Sequence, residues 1–475
     1  MNTGDDDDMI RGGFEVLKTC SGSSARTGVY KVAGKQAIAT PGFLAATSRG
    51  VVPHLTPDNV KRLENAFAGF SVAAEDFLDR LPQEERIPFL NGSDMRRLLG
   101  LPEDLPIVAS PRRSSPVAVS VPNTNDAVSI MTSEGTKKMP LDAYLRFVKA
   151  FNPDVVLAPP DLPNLSPGGR PGGNRIRKMA NRAEKWLDAT LDFCTATDTA
   201  ACTAAPNWPV FAVVLPSVPD ATQREYLAAV GERRRRISGL SFWGTEDYMR
   251  PATRQQQRDA SQKPEGDPAN VAKAIAENGL EPLVRFYALG CATPQEVLDR
   301  VAQGMDLFQG DCCTQFTDAG IALDFSFPPP EAPESDDARL ELGSNLWDEK
   351  YATDMRRLSA TSTATGSHNR AYIHHLLKAR EMTSWVLLQM NNVDVLSRFF
   401  AGIRTSIANG TFAQDHARFV AVYGDVASAK SFRDQYRGKS TGPTARGYAV
   451  GHLEQEMRKN TGSTTKINDP PFRKL

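Results

Sequence analysis

The chain reads as an α/β protein whose core is a parallel (β/α)8 barrel, and three observations predict it. Short apolar runs alternate with longer amphipathic stretches, the rhythm of parallel strands covered by helices. Several runs are apolar at every position, as strands buried on both faces must be. About eight such units fit within 475 residues, which favours a closed barrel over an open doubly wound sheet. Length alone would also admit two or three ordinary domains.

The elements follow in order. Ile38 to Leu44 reads as a strand, and Thr56 and Pro57 then read as the N-cap and first turn of a helix. Ser110 to Ser120, rich in Pro, Ser and Arg, reads as a loop. Asp126 to Met131 reads as a strand, Pro140 to Phe151 as a helix, and Asp154 to Ala158 as a buried parallel strand. The rhythm continues with a helix over Arg175 to Phe193, a strand over Val210 to Leu215, a helix over Thr222 to Glu232 and a strand over Ile237 to Trp243. Leu283 to Leu289 is the next strand. Thr293-Pro294-Gln295-Glu296 forms a capping box with proline at the first helical position; that helix stops at Gly304, and Met305 to Phe308 begins another strand. Arg250 to Pro268 and Ser326 to Asp337 break the pattern and read as solvated insertions.

Composition narrows the functional classes. Lys+Arg and Asp+Glu both total 56, so any nucleic-acid contact must come from local patches and not from a global field. No apolar run reaches the length of a membrane helix, and the acidic start Asp5 to Asp8 is unlike a basic presequence, which points to a soluble intracellular protein. The six cysteines, Cys20, Cys194, Cys202, Cys291, Cys312 and Cys313, include no C-x-x-C pair and read as free, mostly buried thiols. From Arg437 the tail carries eight basic and three acidic residues among Gly, Ser and Thr, which fits a flexible tail or a phosphate-touching arm. Arg233 to Arg236, with no interleaved aromatics, reads as an exposed helix end in preference to a phosphate clamp.

The most informative stretch is Asn369-Arg370-Ala371-Tyr372-Ile373-His374-His375-Leu376-Leu377, running on to Leu387-Leu388-Gln389-Met390-Asn391-Asn392. Tyr372, Leu376, Ala379, Met382, Val386 and Met390 recur at three- and four-residue steps, the spacing of an apolar stripe along one helix. His374 and His375 are adjacent, so they point to different sides of a helix and cannot chelate a metal as an i, i+4 pair would. The literal string R-A-Y-I-H-H-L-L with L-L-Q-M-N-N resembles the helix closing the small zinc subdomain of the tRNA-guanine transglycosylases. An opening over Thr40 to Phe43 and Pro53 to Thr56 resembles that family too. The resemblance covers roughly residues 38 to 415, poorly matched over 110 to 208 and 328 to 342.

That resemblance implies a barrel carrying a small helical subdomain at 340–412, and it also shows what this chain lacks. The family's zinc positions fall on Ala360, Ser362, Thr365 and Asn391, none of which offers a thiolate or imidazole, so no zinc and no other cofactor is expected. The nucleophile, the second Asp of a D-x-F-D strand end, falls on Gln309 within Asp306-Leu307-Phe308-Gln309. An amide has no anionic oxygen for attack on the ribose carbon. The A-F-D strand end falls on Ala158-Pro159-Pro160, V-Q-G-G on Val214-Leu215-Pro216-Ser217, and P-T-R on Cys313-Thr314-Gln315. The D-S-G-G-F-Q segment has no counterpart between Ile87 and Ser120.

No catalytic, metal or cofactor residue is therefore assigned. The resemblance extends to the non-catalytic, accessory branch of the family, which implies a heterodimer with a catalytic subunit and contact with tRNA through that complex. The implied role is to support exchange of guanine for queuine at the wobble position of tRNAs with G-U-N anticodons, those for Asp, Asn, His and Tyr. A cytoplasmic location is implied, with peripheral attachment to the mitochondrial outer membrane as a further family trait. Tyr372 and His375 are the candidate partner contacts. Two other readings stay open: an active enzyme using Asp306 or Asp161, both of which also read as structural carboxylates, or a degenerate barrel with an unrelated interaction role. The domain division expected is a flexible acidic segment over 1–30, the barrel with its subdomain over 31–435, and a flexible basic tail over 436–475.

Overall fold

A computed structural model describes residues 12–78, 94–114, 121–132, 135–162, 171–195, 207–216, 218–244, 268–291, 293–331 and 339–434. Its centre is a closed barrel of eight parallel strands. Before the barrel, β1 (Gly13–Thr19), β2 (Arg26–Lys31) and β3 (Ile38–Thr40) form a three-stranded antiparallel sheet. Residues 13–31 therefore correct the expectation of a flexible segment over 1–30. A buried ion pair anchors them: Arg26 in β2 donates from Nε (2.9 Å) and Nη2 (2.7 Å) to Asp306 at the amino end of the last barrel strand. Tyr30 of the same strand packs edge-on against Phe211 at 5.6 Å.

The barrel strands are β4 (Gly42–Ala46), β5 (Phe70–Ala73), β6 (Ile107–Ser110), β9 (Val155–Leu157), β10 (Val210–Val214), β11 (Gly239–Phe242), β12 (Val284–Gly290) and β13 (Leu307–Gln309). Two of them, β5 and β6, were not anticipated, and the strand expected at Asp126 to Met131 lies outside the barrel. It is β7 (Ala127–Thr132), paired antiparallel with β8 (Gly135–Pro140) in a hairpin. A lone apolar run cannot distinguish a hairpin strand from a barrel strand, because both alternate with helices in the sequence. The strand expected over Ile38 to Leu44 is two, β3 in the antiparallel sheet and β4 in the barrel, because Pro41 has no N–H to continue a ladder; the remaining strands fall where their apolar runs place them.

The helices are α1 (Pro57–Arg62), α2 (Met95–Leu98), α3 (Leu141–Phe151), α4 (Gly173–Thr195), α5 (Asp220–Glu232), α6 (Pro268–Glu277), α7 (Pro294–Ala302) and α8 (Asp311–Asp318), then α9 (Arg370–Ala379), α10 (Thr383–Asn409), α11 (Phe412–Tyr423) and α12 (Val426–Asp434). Thr293 caps α7, its side chain accepting from Glu296 N as the capping box requires. Thr56 stands at the N-cap of α1 without a side-chain cap bond.

The stretch expected as one helix from Arg370 to Asn392 is two. Arg380 closes α9 in the left-handed conformation at φ 59°, so the stripe from Tyr372 to Met390 does not exist as a single face. Tyr372 and Met382 are 40% and 67% exposed. β14 (Ile321–Leu323) and β15 (Gly343–Asn345), with α9 and the start of α10, enclose a second core of Leu346, Tyr351, Leu358, Ile373, Leu377 and Trp385. The 27-residue α10 then continues onto the barrel. There Phe400 packs at 5.5 Å from both Phe43 and Phe308, and Phe399 meets Phe325 at 5.4 Å. Each such ring contributes roughly 1.5–3 kcal/mol by burial.

The five described cysteines, Cys20, Cys194, Cys291, Cys312 and Cys313, are free and buried. The acidic start, the insertion at 250–267, residues 332–337 of the stretch from Ser326 to Asp337, Cys202 and the basic tail lie outside the described residues. Among the described residues no helix is long and apolar enough to cross a membrane.

Candidate functional site

In a barrel of parallel strands, reacting groups are presented at the carboxyl ends. Gln309 ends β13 there, 3% exposed. Its Nε2 donates to Ser71 Oγ of β5 across the barrel mouth at 2.8 Å, and its Oε1 is buried without a hydrogen-bond partner. The flanking thiols of Cys312 and Cys313 are pushed up by burial, Cys313 to about 12, so neither is a thiolate at neutral pH. Leu215 and Pro160, at the ends of β10 and β9, are buried and offer no side-chain polar group.

The carboxylates of the mouth are held in ion pairs. Glu75, past the end of β5, accepts from Arg112 Nε at 2.6 Å and from Arg113 N at 2.8 Å. Asp76 beside it accepts from Arg113 Nε and, at 3.0 Å, from Arg49 N. Burial pushes the Asp76 carboxyl up, against the opposing pull of Arg113. Asp161, past the end of β9 and fully buried, takes Arg175 through both oxygens (2.6 and 2.5 Å), Arg182 at 3.1 Å and Asn123 at 2.6 Å. Each of these buried carboxylates is held by an arginine, the arrangement of a structural ion pair. Asp306, also fully buried, lies at the opposite, amino end of β13 and is engaged by Arg26 and by Arg285 N at 2.8 Å.

The subdomain next to the mouth is organised without a metal-type donor set. Asp324 Oδ1 accepts from Ser359 Oγ (2.7 Å), Ala360 N (2.9 Å), Thr361 N (3.2 Å) and Thr361 Oγ1 (3.1 Å), and Arg370 reaches its Oδ2 at 3.4 Å. Ser362 and Thr365 are buried in the same loop, and Ala360 is exposed. Asn391 on α10 donates from Nδ2 to Leu323 O at 2.9 Å, leaving its Oδ1 buried without a partner. Hydroxyls, a methyl and an amide do not fit zinc, which takes thiolate, imidazole or carboxylate ligands. Among the described residues no group of three or more His, Cys, Asp or Glu could hold a metal ion.

His374 is buried, its Nδ1 2.9 Å from Leu346 O, while His375 and Tyr372 face outward on α9. Arg233 pairs with Asp188 and Glu184 of α4, and Arg236 with Asp192, so the arginine run is a helix end tied to its neighbour, as expected.

The model of the queuine tRNA-ribosyltransferase family matches residues 20–425. The chain belongs to that family. It is 34% identical over 459 residues to the queuine tRNA-ribosyltransferase accessory subunit 2 of Schizosaccharomyces pombe, a match covering 95% of this chain and 91% of that protein. The proteins of the same description from Xenopus tropicalis and Homo sapiens are each 25% identical, over 84% and 82% of this chain. Within the queuine tRNA-ribosyltransferase barrel, Gln309, Pro160 and Leu215, which the resemblance set against the nucleophile and base-reading groups, lie at the carboxyl ends of β13, β9 and β10. Ser217 lies outside the described residues. Sequence reasoning missed Glu75, Asp76, Arg112 and Arg113. The only signal for them was two acidic and two basic residues in neighbouring units, which no spacing rule connects.

Proposed function

We propose that this chain is the non-catalytic accessory subunit of a queuine tRNA-ribosyltransferase, working with a separate catalytic subunit that exchanges guanine for queuine in tRNA. One observation carries the reading. The side chain at the end of β13 is an amide bonded to Ser71, where base exchange requires a free carboxylate to attack the ribose carbon and hold the covalent intermediate. The alternative, an active enzyme using Asp306 or Asp161, is opposed by the ion pairs on both and by the place of Asp306 at the amino end of its strand. The test is incorporation of labelled guanine into tRNA. The full chain alone should give background, and the chain with its catalytic subunit should give exchange. Exchange by the chain alone, abolished by Asp161→Asn, would overturn the assignment.

The finer parts of the reading belong to the same proposal. The chain forms a heterodimer and meets tRNA through the complex, at the wobble position of G-U-N anticodons, in the cytoplasm or peripherally at the mitochondrial outer membrane. Its own contribution to the contact is the outward side of α9, with Tyr372 and His375. No zinc is bound, because the hydroxyls, methyl and amide at 360, 362, 365 and 391 give a soft metal nothing to prefer.

A further inference from the structure

The segment leading into β3, the start of β4, the turn before β5 and one face of α10 surround a cavity of about 140 Å³ at the amino end of the barrel. That is the end opposite the mouth, so the cavity stands independently of any role for the mouth. Its apolar lining includes Phe43 and Phe400. Ser397, Phe400 and Arg404 recur along α10 at three- and four-residue steps, which puts all three on one face of that helix, against the same space.

Arg404 is half-buried and is the one charged side chain of the lining among the described residues. Its guanidinium makes a single hydrogen bond to them, from Nη1 to Pro41 O at 2.7 Å, and no ion pair. Burial pushes the guanidinium below the ordinary arginine value, and no neighbouring carboxylate pulls it back. The side chains of Gln36, Asn65 and Ser397 on the same lining hydrogen-bond to no described residue either. A cation without a counter-charge and three neutral side chains able to donate therefore share one cavity with that capacity unused.

We propose that this cavity binds a phosphate group, free or at the end of a small phosphomonoester. Arg404 takes two of its oxygens through the Nε–Nη2 edge that Pro41 leaves free, and Gln36, Asn65 and Ser397 donate to the others. A tetrahedral anion suits this set better than a carboxylate, because donors from several sides surround the space and a carboxylate offers oxygens in one plane only. The room is sufficient: a single water needs about 10–15 Å³ of such space, so a phosphate with a short substituent fits.

The probes are inorganic phosphate, glycerol 3-phosphate and acetate, each titrated into the full chain in Tris-chloride at constant ionic strength by calorimetry and by thermal melting. At least one phosphate probe should bind and raise the melting temperature, and acetate should bind at least tenfold more weakly. Equal or tighter binding of inorganic phosphate makes the ligand the free ion; tighter binding of glycerol 3-phosphate makes it a monoester. Arg404→Met should weaken phosphate binding at least tenfold and remove the rise in melting temperature that phosphate gives. A merely structural role for Arg404 would instead lower the melting temperature equally with and without the ion. Ser397→Leu, which occupies the cavity and keeps Arg404, should also weaken binding at least tenfold and serves if the methionine variant does not fold. Failure of both phosphate probes to bind, acetate binding as tight as theirs, or binding kept in either folded variant would overturn the proposal.

Discussion

The barrel mouth and the small subdomain hold their buried polar groups in different ways. At the mouth the groups are charged: Glu75 and Asp76 against Arg112 and Arg113, and Asp161 against Arg175 and Arg182, with the three carboxylates and Arg112 buried and the other arginines partly exposed. In the subdomain the hydroxyls and amides of one loop, with Arg370, converge on the single carboxylate of Asp324, over an apolar core that keeps Ile373, Leu377 and Trp385 buried. At the mouth the carboxylates are turned inward. The subdomain, by contrast, still turns Tyr372, Met355 and Met382 to solvent. One region buries its carboxylates, and the other keeps apolar side chains at the surface.

If the mouth is held by buried charge pairs, breaking one should be the most damaging single change in the protein. Arg112→Met leaves Glu75 buried opposite an empty place and should cost about 3–5 kcal/mol in urea unfolding, whereas replacing both partners by apolar residues of similar size should recover most of that. A loss under about 1 kcal/mol for the single change would mean that water reaches Glu75 and that the mouth is open.

Asp324→Ala should cost less, about 2–3 kcal/mol, because the hydrogen bonds to its charge are strong but the site is partly wet. The loss should fall on the subdomain, seen as hydrogen exchange of residues 358–377 rising before that of the barrel. Prolonged chelation should leave the melting curve of the unmodified chain where it was. A drop of several degrees on chelation would show that a metal, and not Asp324, holds the loop.

The two regions also differ in how far the sequence discloses them. Gln309, Pro160 and Leu215 were legible because each interrupts a short motif at a strand end, where one residue changes the chemistry. The ion pairs closing the mouth were not, because Glu75 meets Arg112 across thirty-seven positions and two strands that were themselves overlooked. β5 and β6 have only four residues each, Phe70–Ala73 and Ile107–Ser110, too few to display a period. In the subdomain the motif identified the architecture but concealed the break at Arg380, since a helix signature does not register one residue turning left-handed. The role of Asp324 was invisible for a similar reason: four of its five partners are backbone amides or hydroxyls from a loop without regular structure.

Acid gives a smaller and subtler test of the subdomain's charge pairs. The Arg356 guanidinium beside Asp354 holds its carboxyl down to about 2 from the ordinary 3.8. A carboxylate that is more acidic when folded stabilises fully above its unfolded pKa and stops stabilising as the pH falls through its folded one. The contribution should be complete above about pH 4 and vanish near pH 2, and solvent screening limits it to about 1 kcal/mol or less. Comparing wild type with Asp354→Asn, the difference in stability should shrink over that interval. A difference that stays constant from pH 5 to pH 2 would remove Asp354 from the forces holding the loop.

The smallest expected effect on the isolated chain belongs to the residues with the largest expected effect on assembly. Tyr372 is 40% exposed, and the contacts it makes are local: its ring lies 5.5 Å from that of His368, and its N–H is capped by Asn369. His375, one turn further along α9, is exposed as well, whereas His374 between them is buried against Leu346 O. Removing two outward side chains from a helix whose other face buries Ile373, Leu376 and Leu377 leaves the core intact, so Tyr372→Ala with His375→Ala should change unfolding by no more than about 0.5 kcal/mol. An aromatic ring beside an imidazole on an otherwise well-packed helix is, however, the composition of an interface centre, where truncation costs most. Co-purification with the catalytic subunit should therefore fall at least tenfold while the lone chain melts as before. Undiminished pairing together with a lowered melting temperature would show that this face belongs to the chain's own core, and would erase the distinction between mouth and subdomain.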